Sequence, residues 1–222
     1  MNAAPLILKP HEPVAERVLL PGDPGRALRL AQQLIDKPRM LNHHRGLWGY
    51  SGPGPDGALL TIQSTGLGGP SAAAVVAELV GLGARRLVRV GTAAGLGDTP
   101  LGALVAVEAA IAGDGASRAL GAGERVEPDR ALTAALAAAG DACRGLIASG
   151  DVHDPAAAEE WARAGALAAD LATAATLAAA IRLGVAAAAV VAVTRAGGRR
   201  LDDAGLEAAE RELGRLAAAA LG

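Results

Sequence analysis

Residues 82–96 read LGARRLVRVGTAAGL, a short apolar run that ends in a glycine turn. The run over 86–91 predicts a strand, and Arg89 interrupts it just before it ends. An arginine in a strand flanked by helices is costly unless it meets an anion or a carboxylate. Sheets of this kind bind ligands beyond the carboxyl ends of their strands, where Gly91 and Thr92 would lie. Arg89 therefore indicates either an anion site or a buried ion pair.

Short apolar runs of this type alternate with alanine-rich segments in which leucine recurs at helical spacing, and this alternation predicts an α/β fold. Pro70 and Asp154 stand where helices are expected to begin, and the glycine-rich stretch 51–57 predicts a hairpin or loop. No repeat or long linker divides the chain, so we expect one domain over residues 1–222. The predicted strands are 17–20, 58–64, 86–91, 103–107, 145–149 and 187–194. The predicted helices are 24–34, 70–82, 130–139, 156–183 and 202–220.

The composition argues against several classes of function. Of 222 residues, 56 are alanine and 30 are glycine, phenylalanine is absent, and the aromatic residues are Trp48, Tyr50 and Trp161. Single-stranded nucleic acid is bound on several aromatic faces with a basic footprint, whereas the net charge here is −2, so no nucleic-acid partner is expected. Cys143 is the only cysteine and can form neither an internal disulfide nor a thiolate metal site, which indicates a reduced, intracellular environment.

The remaining composition predicts a cytoplasmic protein that recognises anions. No stretch has the order of an export signal, and the most apolar segments are far shorter than a membrane span. The four histidines are not spaced as metal ligands, so neither a metal nor another cofactor is expected. Lys9 and Lys37 are the only lysines among 21 basic residues. The others are arginines, whose planar forks suit bidentate contacts to oxyanions.

Two further glycine-containing turns follow predicted strands and also suit an anion. In LPGDPGR (20–26), Gly22 allows a ligand to approach the backbone, and Arg26 lies in the first turn of the next helix, whose amides favour negative charge. The sequence STGLGGPS (64–71) repeats the order of strand, glycine loop and helix, but it has neither the G-x-G-x-x-G spacing nor the lysine of a P-loop. An ordinary turn and tight helix packing are the alternative interpretations of these two loops.

Taken together and in order, these turns resemble the signature of the nucleoside phosphorylase superfamily that contains uridine phosphorylase and the hexameric bacterial purine nucleoside phosphorylases. The resemblance covers nearly the whole chain. The segments that carry it are PGDPGRA (21–27), HRGLWGYSG (44–52), STGLGGPSAAAVVAEL (64–79), LGARRLVRVGTAAGL (82–96), SGD (149–151) and GALAADLATAATL (165–177).

The resemblance implies a three-layer α/β/α fold with a central mixed, partly closed sheet. It also implies a homo-oligomer, either a dimer or a hexamer built from dimers, in which neighbouring subunits share active sites. The implied phosphate site consists of Gly22, Arg26, Arg89 and Thr92 of one subunit, with Arg45 from its neighbour. Three guanidinium groups, a backbone amide and a hydroxyl can hold inorganic phosphate and direct one oxygen at a sugar carbon.

The implied reaction is reversible phosphorolysis, in which a nucleoside and the co-substrate phosphate give ribose 1-phosphate and the free base. The sugar becomes cationic during the displacement, so the enzyme must hold the sugar and stabilise the leaving base. Arg195 stands where uridine phosphorylases have an arginine and could stabilise charge on a pyrimidine carbonyl, which favours the pyrimidine branch. The residues that the resemblance assigns to the nucleoside are Leu67, Ala93, Ala94, His153, Asp170, Leu171 and Ala172.

The nucleoside half departs from the family pattern. The family has an acidic-Met-Glu sequence in a long helix, where the Glu binds ribose hydroxyls. Here the sequence is Asp170-Leu171-Ala172, in which Ala172 offers no acceptor and Asp170 could instead face solvent. His153 replaces an aromatic residue that packs against the base, and either a base contact or a neutral structural role is open to it. Ala157 lies near the point where uridine phosphorylases read uracil with a Gln-x-Arg sequence, which is absent here.

Three functions remain compatible with the sequence. The first is an active phosphorylase, with a pyrimidine nucleoside such as uridine slightly preferred. The second is a hydrolytic nucleosidase, against which the intact set of arginines argues because a hydrolase has no use for an anion site. The third is a phosphate- or nucleotide-binding protein that has lost catalysis, which Ala172 supports. A dinucleotide-dependent oxidoreductase ranks below these, because no acidic residue follows a correctly spaced glycine fingerprint.

Overall fold

Within residues 5–222, which the structure describes, the protein has one mixed sheet of eleven strands and seven helices; the structure is a computed structural model. The strands are β1 (Arg17–Pro21), β2 (Arg39–Asn42), β3 (Gly49–Pro53), β4 (Leu59–Gln63), β5 (Arg86–Gly95), β6 (Leu104–Ala112), β7 (Arg125–Val126), β8 (Cys143–Ser149), β9 (Ala168–Asp170), β10 (Ala186–Ala196) and β11 (Arg199–Arg200). The helices are α1 (Pro24–Leu34), α2 (Gly68–Gly81), α3 (Gly115–Ala119), α4 (Arg130–Ala138), α5 (Pro155–Arg163), α6 (Thr173–Arg182) and α7 (Asp203–Leu221).

Part of the sheet closes on itself. Strand β10 pairs in parallel with β5 and antiparallel with β6, β6 and β9 both pair in parallel with β8, and β9 pairs antiparallel with β5. These five strands form a closed ring, while β1, β4, β3 and β2 extend the sheet outward from β5. Helices cover both faces. The predicted α/β/α fold with a central mixed, partly closed sheet is therefore confirmed.

Two hydrophobic cores hold the three layers together. On one face, residues of α2 and α6 cluster with Leu87 of β5, and on the other face, residues of α1, α4 and α7 cluster with Val88. Full burial of a leucine or valine side chain stabilises a protein by about 1.5–3 kcal/mol. Because successive strand residues point to opposite faces, Arg89 shares the face of Leu87. Across residues 5–222, none of the helices combines the length and apolar character that a membrane span requires.

Strand β5 changes its neighbour on one side near its carboxyl end. It pairs with β1 from Arg86 to Val90 and with β9 at Ala94 and Gly95, while β10 runs along its other side. Residues 91–93 therefore lie between the end of one neighbour and the start of the next. The result is an opening in the sheet at the carboxyl end of β5, which is the place where α/β sheets bind ligands.

Most of the helices begin at an aspartate. The residues before α1, α3, α4, α5 and α7 are aspartates, and each side chain accepts a hydrogen bond from a backbone N–H of the first turn. Such a cap stabilises a helix by about 1 kcal/mol. Asp154 is one of them, so the predicted helix start there is confirmed. Pro70 lies two residues inside α2, which begins at Gly68.

The predicted helix over 156–183 is wrong. Helix α5 ends at Arg163, Gly165 adopts a φ of +87°, β9 follows, and α6 begins at Thr173. The high helix propensity of alanine conceals the short strand in the sequence. Pairing with both β5 and β8 inserts β9 into the ring and outweighs that local preference. Asp170 therefore ends a strand and is buried, so neither a helical position nor a solvent-facing one describes it.

Other differences concern short elements and strand ends. The sequence does not predict β2, β3, β7, β11 or α3. The predicted hairpin or loop over 51–57 begins inside β3 and turns at Gly57, which has a φ of +79°. Strands β5, β6 and β10 extend beyond their predicted ends, to Gly95, Ala112 and Ala196. The extension of β5 matters most, because it carries Thr92 and the residues after it along the opening.

Candidate active site

A cleft of about 360 Å³ lies at the opening between β1 and β9. Every site residue predicted from the sequence lines it except Arg45. Asp23, Gly66 and Thr194 are among the lining residues that the sequence patterns do not assign to a site. The predicted residues that the structure brings together here are Gly22, Arg26, Leu67, Arg89, Thr92, Ala93, Ala94, His153, Asp170, Leu171, Ala172 and Arg195.

Arg89 and Asp170 form a buried ion pair on one side of the cleft. Their side chains are 6% and 1% exposed. Arg89 Nε and Nη2 donate to Asp170 Oδ2 at 3.2 and 2.8 Å, and Nε also donates to Thr173 Oγ1 at 2.9 Å. The remaining nitrogen, Nη1, is buried and has no hydrogen-bond partner within residues 5–222. Arg89 thus forms the buried pair and still has N–H groups for a ligand, so both interpretations of its sequence position apply.

Asp170 uses both of its carboxylate oxygens inside the protein. Oδ1 accepts from Ser149 Oγ at 2.6 Å and from the backbone N–H groups of Ala172 and Thr173 at 3.2 and 3.1 Å, and Oδ2 accepts from Arg89 and from Thr173 Oγ1. Burial alone raises the pKa of Asp170, but the Arg89 charge and the hydrogen bonds from Ser149, Thr173 and Arg89 outweigh burial and hold the pKa below its ordinary value. The ionised carboxylate orients Arg89 and has no free oxygen for a nucleoside.

Arg26 reaches the cleft from the opposite face of the sheet. Its Nε donates to Glu210 Oε1 of α7 at 2.8 Å, and the two side chains are 8% and 3% exposed. The other oxygen of Glu210 accepts from Arg29 Nε and Nη2 at 2.7 and 2.6 Å. Arg26 Nη1 makes only a long contact of 3.4 Å to the carbonyl oxygen of Val90. The guanidinium is therefore held at its Nε end, and its terminal nitrogens make no short hydrogen bond within residues 5–222, in a residue that lines the cleft.

Backbone groups add further donors around the two arginines. Helix α2 begins at Gly68, which lines the cleft, and its first N–H groups have no side-chain cap, whereas the carboxylate of Asp23 caps α1. Helix N-termini attract anions because their first N–H groups lack helical partners. The loop before α2 requires glycine, since Gly66 and Gly68 have φ values of +76° and +81°. This end of the cleft can hold a tetrahedral oxyanion.

A second pair of polar side chains lies at another part of the cleft. Arg195 Nη2 is 3.4 Å from His153 Nε2, and both side chains are exposed. The register between β10 and β5 shifts between Val193 and Arg195, so Thr194 falls out of the pairing. Such an irregularity re-aims the side chains that follow it. Arg195 and His153 thus meet where the predicted base would lie, and their roles stay predictions.

Arg45 lies outside the cleft of its own chain. It is exposed in a short 3₁₀ turn, His44–Gly46, and has a φ of +58°. Its contribution to a neighbouring subunit's site stays a prediction. Among residues 5–222, no group of three or more histidine, cysteine or acidic side chains could hold a metal ion.

Three residues that the sequence patterns do not assign to the site contact either Arg26 or Asp170. Ser149 and Thr173 bond to Asp170, and Glu210 bonds to Arg26. Ser149 begins the SGD segment, residues 149–151. Glu210 carries one usable signal, because it follows Leu206 by four residues and precedes Leu213 by three, which places an acidic residue on the apolar face of α7. An acid at such a position requires a cationic partner.

The chain is similar to curated nucleoside phosphorylases over part of its length. It is 43% identical to a DeoD-type purine nucleoside phosphorylase of Exiguobacterium sp. over 84 residues, which are 37% of this chain and 35% of that protein. It is 38% identical to the uridine phosphorylase of Treponema pallidum over 125 residues, which are 55% of this chain and 48% of that protein. The matched segments therefore span about a third to a half of the length of these relatives.

A comparison of folds finds a similarity that covers more of the chain than these sequence matches do. The crystal structure of uridine phosphorylase from Vibrio fischeri ES114, complexed with 6-hydroxy-1-naphthoic acid, has a TM-score of 0.85 and 25% sequence identity, and it covers 94% of this chain and 91% of that one. The family model of the phosphorylase superfamily matches residues 16–221. Since this match covers nearly all of the chain, including the three arginines that line the cleft, the protein belongs to the phosphorylase superfamily.

Proposed function

We propose that this protein is a nucleoside phosphorylase, an enzyme that uses inorganic phosphate to cleave the N-glycosidic bond of a nucleoside. The observation that carries the proposal is the convergence of Arg26 and Arg89 on one cleft from opposite faces of the sheet, each held by a buried carboxylate. Guanidinium groups fixed in this way bind an oxyanion in one orientation. Membership of the phosphorylase superfamily supports the same activity.

In the proposed reaction, a phosphate oxygen attacks the anomeric carbon of the sugar while the bond to the base breaks. A carbon–oxygen bond forms, the electron pair of the carbon–nitrogen bond leaves with the base, and the sugar carries positive charge in between. Phosphate held by Arg26, Arg89 and the Thr92 hydroxyl lies next to that charge and stabilises it electrostatically. The products are ribose 1-phosphate and the free base, which takes up, through solvent, the proton that the attacking phosphate loses.

Arg195 supports a pyrimidine nucleoside such as uridine as the preferred substrate. A guanidinium can donate hydrogen bonds to a carbonyl oxygen, but it is not an acid that transfers a proton to the base. A pyrimidine leaving group can carry its negative charge on carbonyl oxygens, whereas a purine leaves more readily when an acid protonates it. His153, 3.4 Å from Arg195, is placed to contact the same base.

We expect Arg195→Gln to lower kcat for uridine phosphorolysis by about 10- to 100-fold, because the amide loses the positive charge that stabilises the departing base. The KM for phosphate should change little, since Arg26 and Arg89 stay in place. Steady-state kinetics with each substrate varied in turn check this. A variant with the kcat of the parent enzyme would show that another group stabilises the base.

The homo-oligomer that the sequence predicts completes the proposed phosphate site. Arg45 is exposed and lies outside the cleft of its own chain, as an arginine lent to a neighbouring subunit would. A dimer that exchanges Arg45, alone or within a hexamer, would add a third guanidinium to the anion site. This assembly is part of the proposal, with the nucleoside and phosphate as small-molecule partners.

A catalytically impaired binding protein is the second candidate. Ala172 is 2% exposed and has no acceptor on its side chain, and Asp170 is fully engaged with other protein groups, so the cleft lacks a free carboxylate beside them for sugar hydroxyls. This alternative predicts that phosphate binds while no nucleoside is cleaved.

The decisive measurement is the release of free base from purine, pyrimidine and thio-nucleosides with and without inorganic phosphate. We expect release from at least one nucleoside to require phosphate and to yield ribose 1-phosphate in equal amount. Release without phosphate, with free ribose as product, would identify a hydrolase. Phosphate binding without turnover of any nucleoside would favour the binding protein.

A further inference from the structure

Glu210 is a buried acid that the proposed reaction does not itself use. Its side chain is 3% exposed, and its two oxygens are divided between two arginines of α1. Arg26 faces the cleft and is 8% exposed, whereas Arg29 is 45% exposed at the surface. One carboxylate on α7 thus joins a surface cation to a cation of the anion site.

The two arginines depend on Glu210 to different degrees. Arg29 is half in solvent, so water can replace the carboxylate there at little cost. Arg26 is buried, and its other side-chain contact is the 3.4 Å approach of Nη1 to the Val90 carbonyl. The bond from Nε to Glu210 is therefore the interaction that fixes the direction of the Arg26 guanidinium.

We infer that Glu210 is a positioning residue for the phosphate site, which acts through Arg26 and makes the C-terminal helix α7 part of the anion-binding machinery. The inference rests on the proposed function, in which phosphate is the ligand of Arg26. Holding Nε leaves the two terminal nitrogens in a fixed fork at the cleft, and such a fork binds an oxyanion through two parallel hydrogen bonds.

The charge and the hydrogen bond of Glu210 act on phosphate in opposite directions. Its negative charge lies behind Arg26 and weakens the attraction for an anion, while its hydrogen bond orients the guanidinium and strengthens binding. Removal of the carboxylate therefore has an effect whose sign identifies the role. If Glu210 only neutralises charge, its removal would make phosphate bind more tightly. If Glu210 positions Arg26, its removal would make phosphate bind more weakly.

The test is phosphate binding by isothermal titration calorimetry, together with KM and kcat, for Glu210→Ala and for the double variant Arg29→Gln/Glu210→Ala, because alanine removes the acceptor of the Arg26 hydrogen bond as well as the charge. The double variant keeps the net charge of the group formed by Arg26, Arg29 and Glu210. It therefore separates the effect of Arg26 orientation on phosphate binding from the effect of charge. Glu207→Ala is the matched control, because it removes the same charge from the same helix at an exposed position paired with Arg211. Thermal unfolding is recorded for each protein to show that it is folded.

We expect Kd and KM for phosphate to rise by about tenfold or more in both Glu210 variants, with the nucleoside KM within about twofold of the parent, as for the loss of a hydrogen bond to a charged group. Glu207→Ala should stay within about twofold for both substrates. Unchanged or tighter phosphate binding in a folded Glu210 variant would overturn the inference. A parent protein that binds phosphate without phosphorolysis would refute the proposed function, yet its Kd values would still decide the role of Glu210.

Discussion

Replacement of Arg89 by alanine is expected to lower kcat/KM for phosphate by about a thousandfold or more, the largest loss from any single substitution in the cleft. The reason is that Arg89 supplies a buried N–H donor with no protein partner within residues 5–222, beside the opening where phosphate is proposed to bind. A lysine at this position keeps the charge but lacks the planar fork, so Arg89→Lys should recover only a small part of the activity. Initial rates at varied phosphate concentration measure both variants.

A control is needed because Arg89→Ala also leaves Asp170 buried without its cation. Such an unpaired charge destabilises a protein by about 3–5 kcal/mol, and a loss of activity could then reflect unfolding. The double variant Arg89→Ala/Asp170→Ala removes both charges and should recover most of the stability without recovering activity. Activity near that of the parent in the double variant would exclude Arg89 from the phosphate site.

The second large effect concerns stability as well as activity. Asp170→Asn should lower the free energy of unfolding by about 3 kcal/mol and reduce turnover by about a hundredfold. An amide has one acceptor oxygen, so either Arg89 or the N–H groups of Ala172 and Thr173 lose their partner. Arg89 then loses the group that orients it toward the cleft. Urea unfolding followed by circular dichroism measures the first effect, and steady-state rates measure the second.

The effect of Asp170→Asn on the free energy of unfolding is expected to depend on pH in a defined direction. The folded pKa of Asp170 lies below the ordinary aspartate value of about 3.9, so the ionised pair stabilises the fold above that pH, and this stabilisation is lost as the pH falls through the folded pKa. The stability difference between the parent and Asp170→Asn should therefore narrow in acid. Glu108→Gln breaks an exposed pair with Arg144 and should cost less than about 1 kcal/mol, with no such narrowing. A constant difference across acid pH would contradict an ionised Asp170.

The anion half of the site is the part that can be predicted from the sequence. Arg89 stands out because a charge inside an apolar strand is unusual, and Gly22 and Arg26 stand out because they follow a strand and begin a helix. These signals are local, and the carboxyl ends of neighbouring strands meet at one edge of the sheet. The structure brings all three residues to one cleft.

The partners of these arginines are beyond the reach of local patterns. The alanine-rich sequence around Asp170 favours a helix, and only pairing with two distant strands makes β9. Glu210 contacts Arg26 across 184 positions of the chain, and no periodicity in α7 specifies which cation it meets. The sequence thus identifies Arg26 and Arg89 as candidate anion ligands, but contacts between distant parts of the chain determine how each of them is oriented.

The opening between β1 and β9 arises from where two strands stop and start along β5, and both strands are held there by ladder hydrogen bonds. Its width is therefore set mainly by the sheet backbone rather than by the side chains around it. Ala93, Ala94 and Ala172 form an alanine-rich wall beside this opening, and substitutions in this wall leave the proposed phosphate position in place. Under the proposed function, such an arrangement would allow a different leaving group to be accepted while the residues that bind phosphate stay in place.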